Sequence, residues 1–285
     1  MNGVLLLIFS AFVFTSKTNS EKTTPNLEEI VIGRCHYFVH ALFPNLYIPK
    51  TQSKDCKKLW KLLTPAFYGK DKTTEKDLKP FFDYALEGAK PLKDRALFWS
   101  RTREYAAIFN QHFPQYSTVS QMLPGYLLEG LTFCGDAKIK NDFSNKECPE
   151  WESKEGHPLY TFWSVASKRF ADAASGKITI MVNGSTNAPA YDQKSILRAI
   201  EIPAIDGSKV SSAVISVYLT HDSYKQIFKN YHYCDSPDVK DLINALTKKL
   251  GKNKVTCEEN PDIVHHLNCV FNPTLHGCDA KINPK

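Results

Sequence analysis

Two indoles and an isolated carboxylate raise the first chemical question. Trp163 lies in Phe162-Trp163-Ser164-Val165-Ala166-Ser167-Lys168-Arg169-Phe170, a run with helical character. Downstream, Ile200-Glu201-Ile202-Pro203 sets one acid among apolar residues. A lone carboxylate there costs free energy unless it is partnered or stands at the mouth of a cleft. Glu201 therefore has two readings: a buried, satisfied structural acid, or a carboxylate facing a developing positive charge. Trp99, in Leu97-Phe98-Trp99-Ser100-Arg101, follows a phenylalanine just as Trp163 does. Core packing is the ordinary use of either indole. The functional use is a pair of walls stacking on a planar, even cationic, ring. Arg101 reads either as an exposed helical arginine or as a contact for an anionic group such as a pyrophosphate. Glu129, in Leu127-Leu128-Glu129-Gly130, is a weaker acidic candidate that reads first as solvated.

Several chemistries find no support. There is no Gly-rich phosphate loop, no Gly-x-Ser-x-Gly elbow and no His-Glu-x-x-His motif, which removes the serine-hydrolase and zinc-protease readings. No Cys-x-x-Cys occurs, and His265-His266 beside Cys269 has poor metal-ligand spacing, so no metal site is expected. The net charge of +6 mildly favours an anionic partner. Its lysines and arginines are dispersed rather than gathered into an aromatic-interleaved stripe, and nucleic-acid binding is not indicated.

Residues 1–20 have the layout of a secretory signal, with an apolar run from Val4 to Phe14 and small residues near an expected cleavage point at Ser20. The run falls short of the roughly 20 apolar residues of a membrane span. A secreted protein is the leading expectation, and an uncleaved anchor the lesser one. All eight cysteines lie beyond this segment, at 35, 56, 134, 148, 234, 257, 269 and 278. An even count in a secreted chain argues for disulfides, although spacing alone leaves the pairing open. The one glycosylation sequon is Asn183-Gly184-Ser185.

The elements that must position these residues fall into two kinds. The first half reads helical, over Lys54 to Tyr68 and again over Ala96 to Phe113, with a short helix around Pro124–Leu128. In the second half a helix over Phe162–Ala174 stops at Gly176. Strand-like runs follow at Ile178–Val182, Ser195–Ile202 and Ala213–Thr220. Ser236-Pro237-Asp238 then opens a helix that ends at Gly251. Alternating strand and helix predicts a small parallel sheet. The expected fold class is α/β (α+β): a helical lobe over about 21–92 and 118–166, packed against an α/β lobe over about 93–117 and 167–285. A ligand is expected in the cleft between them.

The same residues carry a family pattern. The stretch after the signal resembles the ADP-ribosyl cyclase / NAD glycohydrolase family of secreted and cell-surface enzymes. The resemblance rests on Leu97-Phe-Trp-Ser-Arg101, Gly125-Tyr-Leu-x-x-x-Leu-Thr-x-Cys-Gly135, Cys148-Pro-x-Trp151, Phe162-Trp163, Arg169-Phe-Ala-x-Ala-Ala174, Met181-x-Asn-Gly-Ser185, Ile200-Glu201-Ile202 and Cys269-Val-x-Asn-Pro273 with Cys278. It implies that Glu201 is the catalytic glutamate and that Trp99 and Trp163 hold nicotinamide and steer the substrate. It puts Arg101, Ser100 and Ser167 at the phosphates, with Thr132 and Phe133 beside the site, where the family usually has tryptophan in place of Phe133. Ser120 stands where the family usually has an acid that influences whether product is cyclised or hydrolysed. The substrate implied is NAD or NADP, with no separate cofactor, and a homodimer is left open. Family bridges imply Cys35–Cys56, Cys134–Cys148, Cys234–Cys257 and Cys269–Cys278. Of two further bridges in mammalian members, one would fall on Lys93 and Ser175, so both halves are missing together. A non-catalytic, receptor-like binding domain is the rival reading, against which the intact Trp99, Trp163 and Glu201 weigh.

Overall fold

The computed structural model describes residues 21–42, 54–89, 92–112, 116–149, 157–219, 231–261 and 269. The helical part begins with α1 (Leu27–Tyr37), which runs on into a π-helical turn (Phe38–Leu42). Next come α2 (Cys56–Leu63), capped by the Asp55 carboxylate, and α3 (Glu75–Leu86), opened by a reciprocal Thr74–Asp77 capping box. The sheet starts with two short strands, β1 (Leu92–Lys93) and β2 (Leu97–Ser100), followed by α4 (Arg103–His112). A 3₁₀ turn (Val119–Gln121) leads into α5 (Leu123–Leu128), and α6 (Pro158–Ala173) passes directly into β3 (Ala174–Asn183). A π-helical turn (Leu197–Glu201) and α7 (Ile202–Ala204) precede β4 (Val210–Tyr218), α8 (Pro237–Leu250) and β5 (Val255–Glu259).

All strand pairs are parallel. β3 takes β1 and β2 in succession along one edge and β4 along the other, and β5 follows β4. Parallel strands are covered on both faces and therefore read as near-continuous apolar runs, as Ile178–Val182 does. Lys93 and Ser175, the pair expected to replace a mammalian bridge, are Cα partners across β1 and β3. One continuous core joins the helices to the sheet. Phe67, Phe81, Phe82, Phe133, Phe143 and Phe162 meet at its centre with ring centroids 5.1–6.4 Å apart. The expected α/β (α+β) arrangement, helices against a small parallel sheet, is the one found.

Two element assignments change. Ser195–Ile202 is helical rather than extended. The Ser195 hydroxyl accepts from the Arg198 N–H, and Leu197 and Glu201, four residues apart, are the buried positions of that turn. The high β-propensity of isoleucine loses there to tertiary burial at helical spacing. Within Ala96–Phe113, Leu97–Ser100 is a strand and the helix begins only at Arg103. Phe98 and Trp99 belong to a strand flanked on both faces, and four residues are too few for an alternation to show.

Three disulfides join Cys35 to Cys56, Cys134 to Cys148 and Cys234 to Cys257. Cys269 is also disulfide-bonded, while Cys278 and Trp151 lie outside the described residues. Among the described residues no helix is long and apolar enough to cross a membrane. Residues 1–20 are not among them.

Candidate active site

A cleft of about 670 Å³ opens at the carboxyl end of β2, walled by α6, the 119–121 turn, the residues after α5 and the segment 192–201. Helical periodicity builds its first wall. Leu159, Trp163 and Ser167 recur every four residues along α6 and all face the cleft, while Phe162, Val165, Ala166 and Phe170 fill the core. Trp163 is half-buried and meets Phe162 edge-on at 5.5 Å. Trp99, on β2, forms the facing contribution from the sheet. It is half-buried and packs over Leu97, Ala106, Met181 and Tyr218.

Glu201 closes the bottom. It ends the π-helical turn, is only 5% exposed and takes a hydrogen bond from the Ser167 hydroxyl. Burial outweighs that bond and lifts its carboxyl to about 7. Near neutrality the side chain is therefore poised between its acid and its carboxylate, and a positive charge in the cleft would tip it to the ionised form. Single π-helical turns inside helices recur at functional sites, where the extra residue redirects a side chain.

The rim is charged and held in place from several sides. Arg101 takes a left-handed backbone conformation, φ 58°, with its carbonyl accepting from the Asn183 side-chain amide at 3.2 Å. Its guanidinium donates to Asp192 at 2.8 Å and is part-exposed, and Arg101 lines the cleft. Ser100 is buried beside it. On the opposite rim the Ser120 hydroxyl donates to Glu129 at 2.6 Å, and Glu129 also pairs with Arg103. Arg34 of α1 donates to the carbonyls of Leu127 and Glu129 at 3.1 and 2.7 Å, so the chain entering this rim is fixed as well. The turn bearing Ser120 lies hard against Gly125, where a Cβ would stand 2.1 Å from the Val119 carbonyl oxygen.

The structure thus gathers Glu201, Trp99, Trp163, Ser100, Arg101, Ser167, Ser120, Glu129 and Thr132 around one cleft. Phe133 is not brought to it. Its ring is buried in the core against Phe67, Phe143 and Phe162, one residue past Thr132, which does line the cleft. Glu129 is not simply solvated but is the hub of the Ser120–Arg103 network. Asn183 stands half-buried at the end of β3 with its side chain also accepting from the Ser185 N–H. Arg103, Asp192, Lys194 and Leu159 line the cleft without having been singled out. The four-residue step from Trp163 back to Leu159 was the readable signal for one of them. A second depression of about 610 Å³, bordered by Lys58, Tyr84, Asp83 and Arg169, contains no buried ionisable group. Lys58 stacks over Tyr84 there, and Arg169 pairs with Asp83. Of these two depressions among the described residues, the first alone combines a buried acid with indole walls.

Comparison with known proteins agrees with this geometry. Residues 24–278 match the ADP-ribosyl cyclase family. The ADP-ribosyl cyclase/cyclic ADP-ribose hydrolase of Aplysia californica is 30% identical over 283 residues, covering 97% of this chain and 95% of that one. A crystal structure of ADP-ribosyl cyclase complexed with N1-cIDPR is similar with a TM-score of 0.79 and 28% identity, over 90% of this chain and 99% of that one. The Aplysia cyclase complexed with substrate NGD and product cGDPR gives 0.74 and 28%, over 90% and 98%. Fold, cleft and sequence place the chain together: it is an enzyme that belongs to the ADP-ribosyl cyclase family.

Proposed function

We propose that the protein cleaves the nicotinamide–ribose bond of NAD or NADP outside the cell, releasing nicotinamide with ADP-ribose and cyclic ADP-ribose as the alternative products. One observation carries this reading: a buried carboxylate, with no cation paired to it among the described residues, lies in a cleft walled by two half-buried indoles. The related Aplysia enzyme, solved with a dinucleotide substrate and its cyclic product, supports the substrate class.

The chemistry fits a single acid. Most glycosidases need two carboxylates, one of them to protonate a leaving oxygen. Nicotinamide leaves differently: the bond between C1′ of ribose and the pyridinium nitrogen breaks, the electron pair goes to that nitrogen, and a neutral base departs. No general acid is required. Positive charge then develops on the ribosyl ring, and ionised Glu201 stabilises it electrostatically in a site from which water is largely excluded. Trp99 and Trp163 stack on the bases, and Arg101 with Ser100 meets the pyrophosphate. Ser167 both reaches the phosphates and fixes the Glu201 carboxylate. Attack by water, with loss of its proton, gives ADP-ribose; attack by the substrate's own adenine nitrogen gives the cyclic product. The Ser120–Glu129–Arg103 network lies on the rim where the family's partition acid stands, and we assign it the choice between them.

Export through an oxidising compartment accords with the three disulfides. The test is chromatography of products after mixing the purified secreted protein with NAD. Nicotinamide with ADP-ribose establishes the glycohydrolase, and a cyclic product establishes ring closure in the presence of Ser120. Absence of nicotinamide release from folded, disulfide-bonded protein defeats the reading.

A further inference from the structure

Away from the cleft, α1 and the π-helical turn that continues it each present one imidazole to solvent. His36 and His40 are four residues apart, both exposed, with ring centroids 6.0 Å apart and planes only 13° from parallel. We propose that His36 and His40 form a bidentate surface site for a divalent transition ion of borderline softness, namely Zn²⁺, Cu²⁺ or Ni²⁺.

Side chains four residues apart on a helix lie one above the other on the same face. Two histidines at that spacing are the arrangement by which a helix offers two nitrogens to one metal, as in zinc-binding His-x-x-x-His segments. Imidazole suits Zn²⁺, Cu²⁺ and Ni²⁺, whereas Ca²⁺ and Mg²⁺ require oxygen ligands, so selectivity follows from the donor set. Parallel, neighbouring rings need only side-chain rotation to aim both nitrogens at a shared ion, and water fills the remaining positions.

The backbone beneath the pair is held before any ion arrives. Cys35, adjacent to His36, is bonded to Cys56 of α2. Arg34 is anchored on carbonyls in the last turn of α5 and just beyond it, and Phe38 is buried against Tyr126 with ring centroids 5.2 Å apart. These anchors fix the rotation of the helix so that its opposite face, with both histidines, points outward. They also lower the ordering cost of chelation. Access is open on the N-terminal side, since a Cβ built on Gly33, one turn before His36, would meet nothing within 4 Å. Glu29 lies about two turns before His36, too far to complete the site, which leaves it a weak, exchangeable one with open coordination positions.

The experiment is calorimetric titration of Zn²⁺, and separately Cu²⁺, into the untagged secreted protein and its variants. One ion is expected per His36–His40 pair, with Mg²⁺ failing to compete. Loss of one ligand costs at least as much as loss of an outer-shell partner, about 10–100-fold. His36→Ala and His40→Ala should each weaken binding by that factor, and the double variant should abolish this class of site. Both side chains are exposed, so circular dichroism should show the variants folded. Unchanged binding by the double variant, or no heat from the parent at millimolar ion, overturns the proposal.

Discussion

Glu201 carries two demands that oppose each other: burial favours its neutral form, while catalysis by charge stabilisation needs the anion. The pyridinium of the substrate reconciles them, because an opposite charge beside a buried carboxyl favours ionisation. The pH dependence follows. In the free enzyme the carboxyl titrates near 7, so kcat/KM should climb with pH through that region. With the cation bound, the acid limb of kcat should lie at lower pH. Glu201→Gln should lose both limbs and about 10²–10³ in kcat, by analogy with removal of one stabilising group, while KM changes little. Initial-rate profiles of nicotinamide release measure all of this, and a variant that keeps most of its turnover refutes the assignment. Ser167 supplies the hydrogen bond that draws the Glu201 carboxyl downward. Ser167→Ala should therefore move the kcat/KM limb to higher pH. That shift separates a positioning hydroxyl from one that contributes only to packing.

At the scale of elements, the cleft is the product of short irregular pieces more than of long regular ones. Trp163, Ser167 and Glu201 could be picked out from residue type, and the helix bearing the first two was legible because apolar residues recur at helical spacing over sixteen positions. The π-helical turn bearing Glu201 was not legible, since isoleucine and leucine at 196, 197, 200 and 202 fit extended and helical readings alike. β2 failed to show for a related reason: it is four residues long and covered on both faces. Phe133 was drawn toward the cleft by its place in the motif, yet its side chain serves the core while Thr132 serves the site. Glu129 shows the remaining gap, since its partners come from α4 and the 119–121 turn and local pattern cannot join them. That turn rests on Gly125. Gly125→Ala would drive a methyl into the Val119 carbonyl and displace Ser120 from Glu129. Overpacking of this kind costs about 1–3 kcal/mol. The expected outcome is a lower thermal midpoint with an altered ratio of cyclic to linear product, read by scanning fluorimetry and by chromatography.

Taken as a whole, the molecule places a costly group at the junction of its two structural kinds. Helices and sheet share one core, and Glu201 sits where α6, the π-helical turn and the end of β2 converge, so the burial cost of its charge falls on the global folding equilibrium. The sign can be worked out. In the unfolded chain this glutamate titrates at its ordinary value of 4.5, and in the folded chain at about 7. Between those values the native state holds a proton that the unfolded state has released, so stability falls as pH rises through the interval and stays lower above it. The gap corresponds to roughly 3 kcal/mol. Disulfides offset such a cost by restricting the unfolded chain, and the Cys134–Cys148 and Cys35–Cys56 bridges, in short and intermediate loops, contribute on the order of 3 kcal/mol each by that mechanism. Replacing Glu201 by glutamine keeps shape and hydrogen-bonding capacity and removes the charge. Denaturant unfolding with the disulfides intact should then show wild type losing stability from pH 4.5 toward pH 7 by up to that amount, relative to a Glu201→Gln protein without this component. The inactive variant should be the more stable of the two above pH 7. Parallel pH profiles would mean that the unliganded cleft already hydrates Glu201, and the kinetic limb near 7 would have to disappear with them.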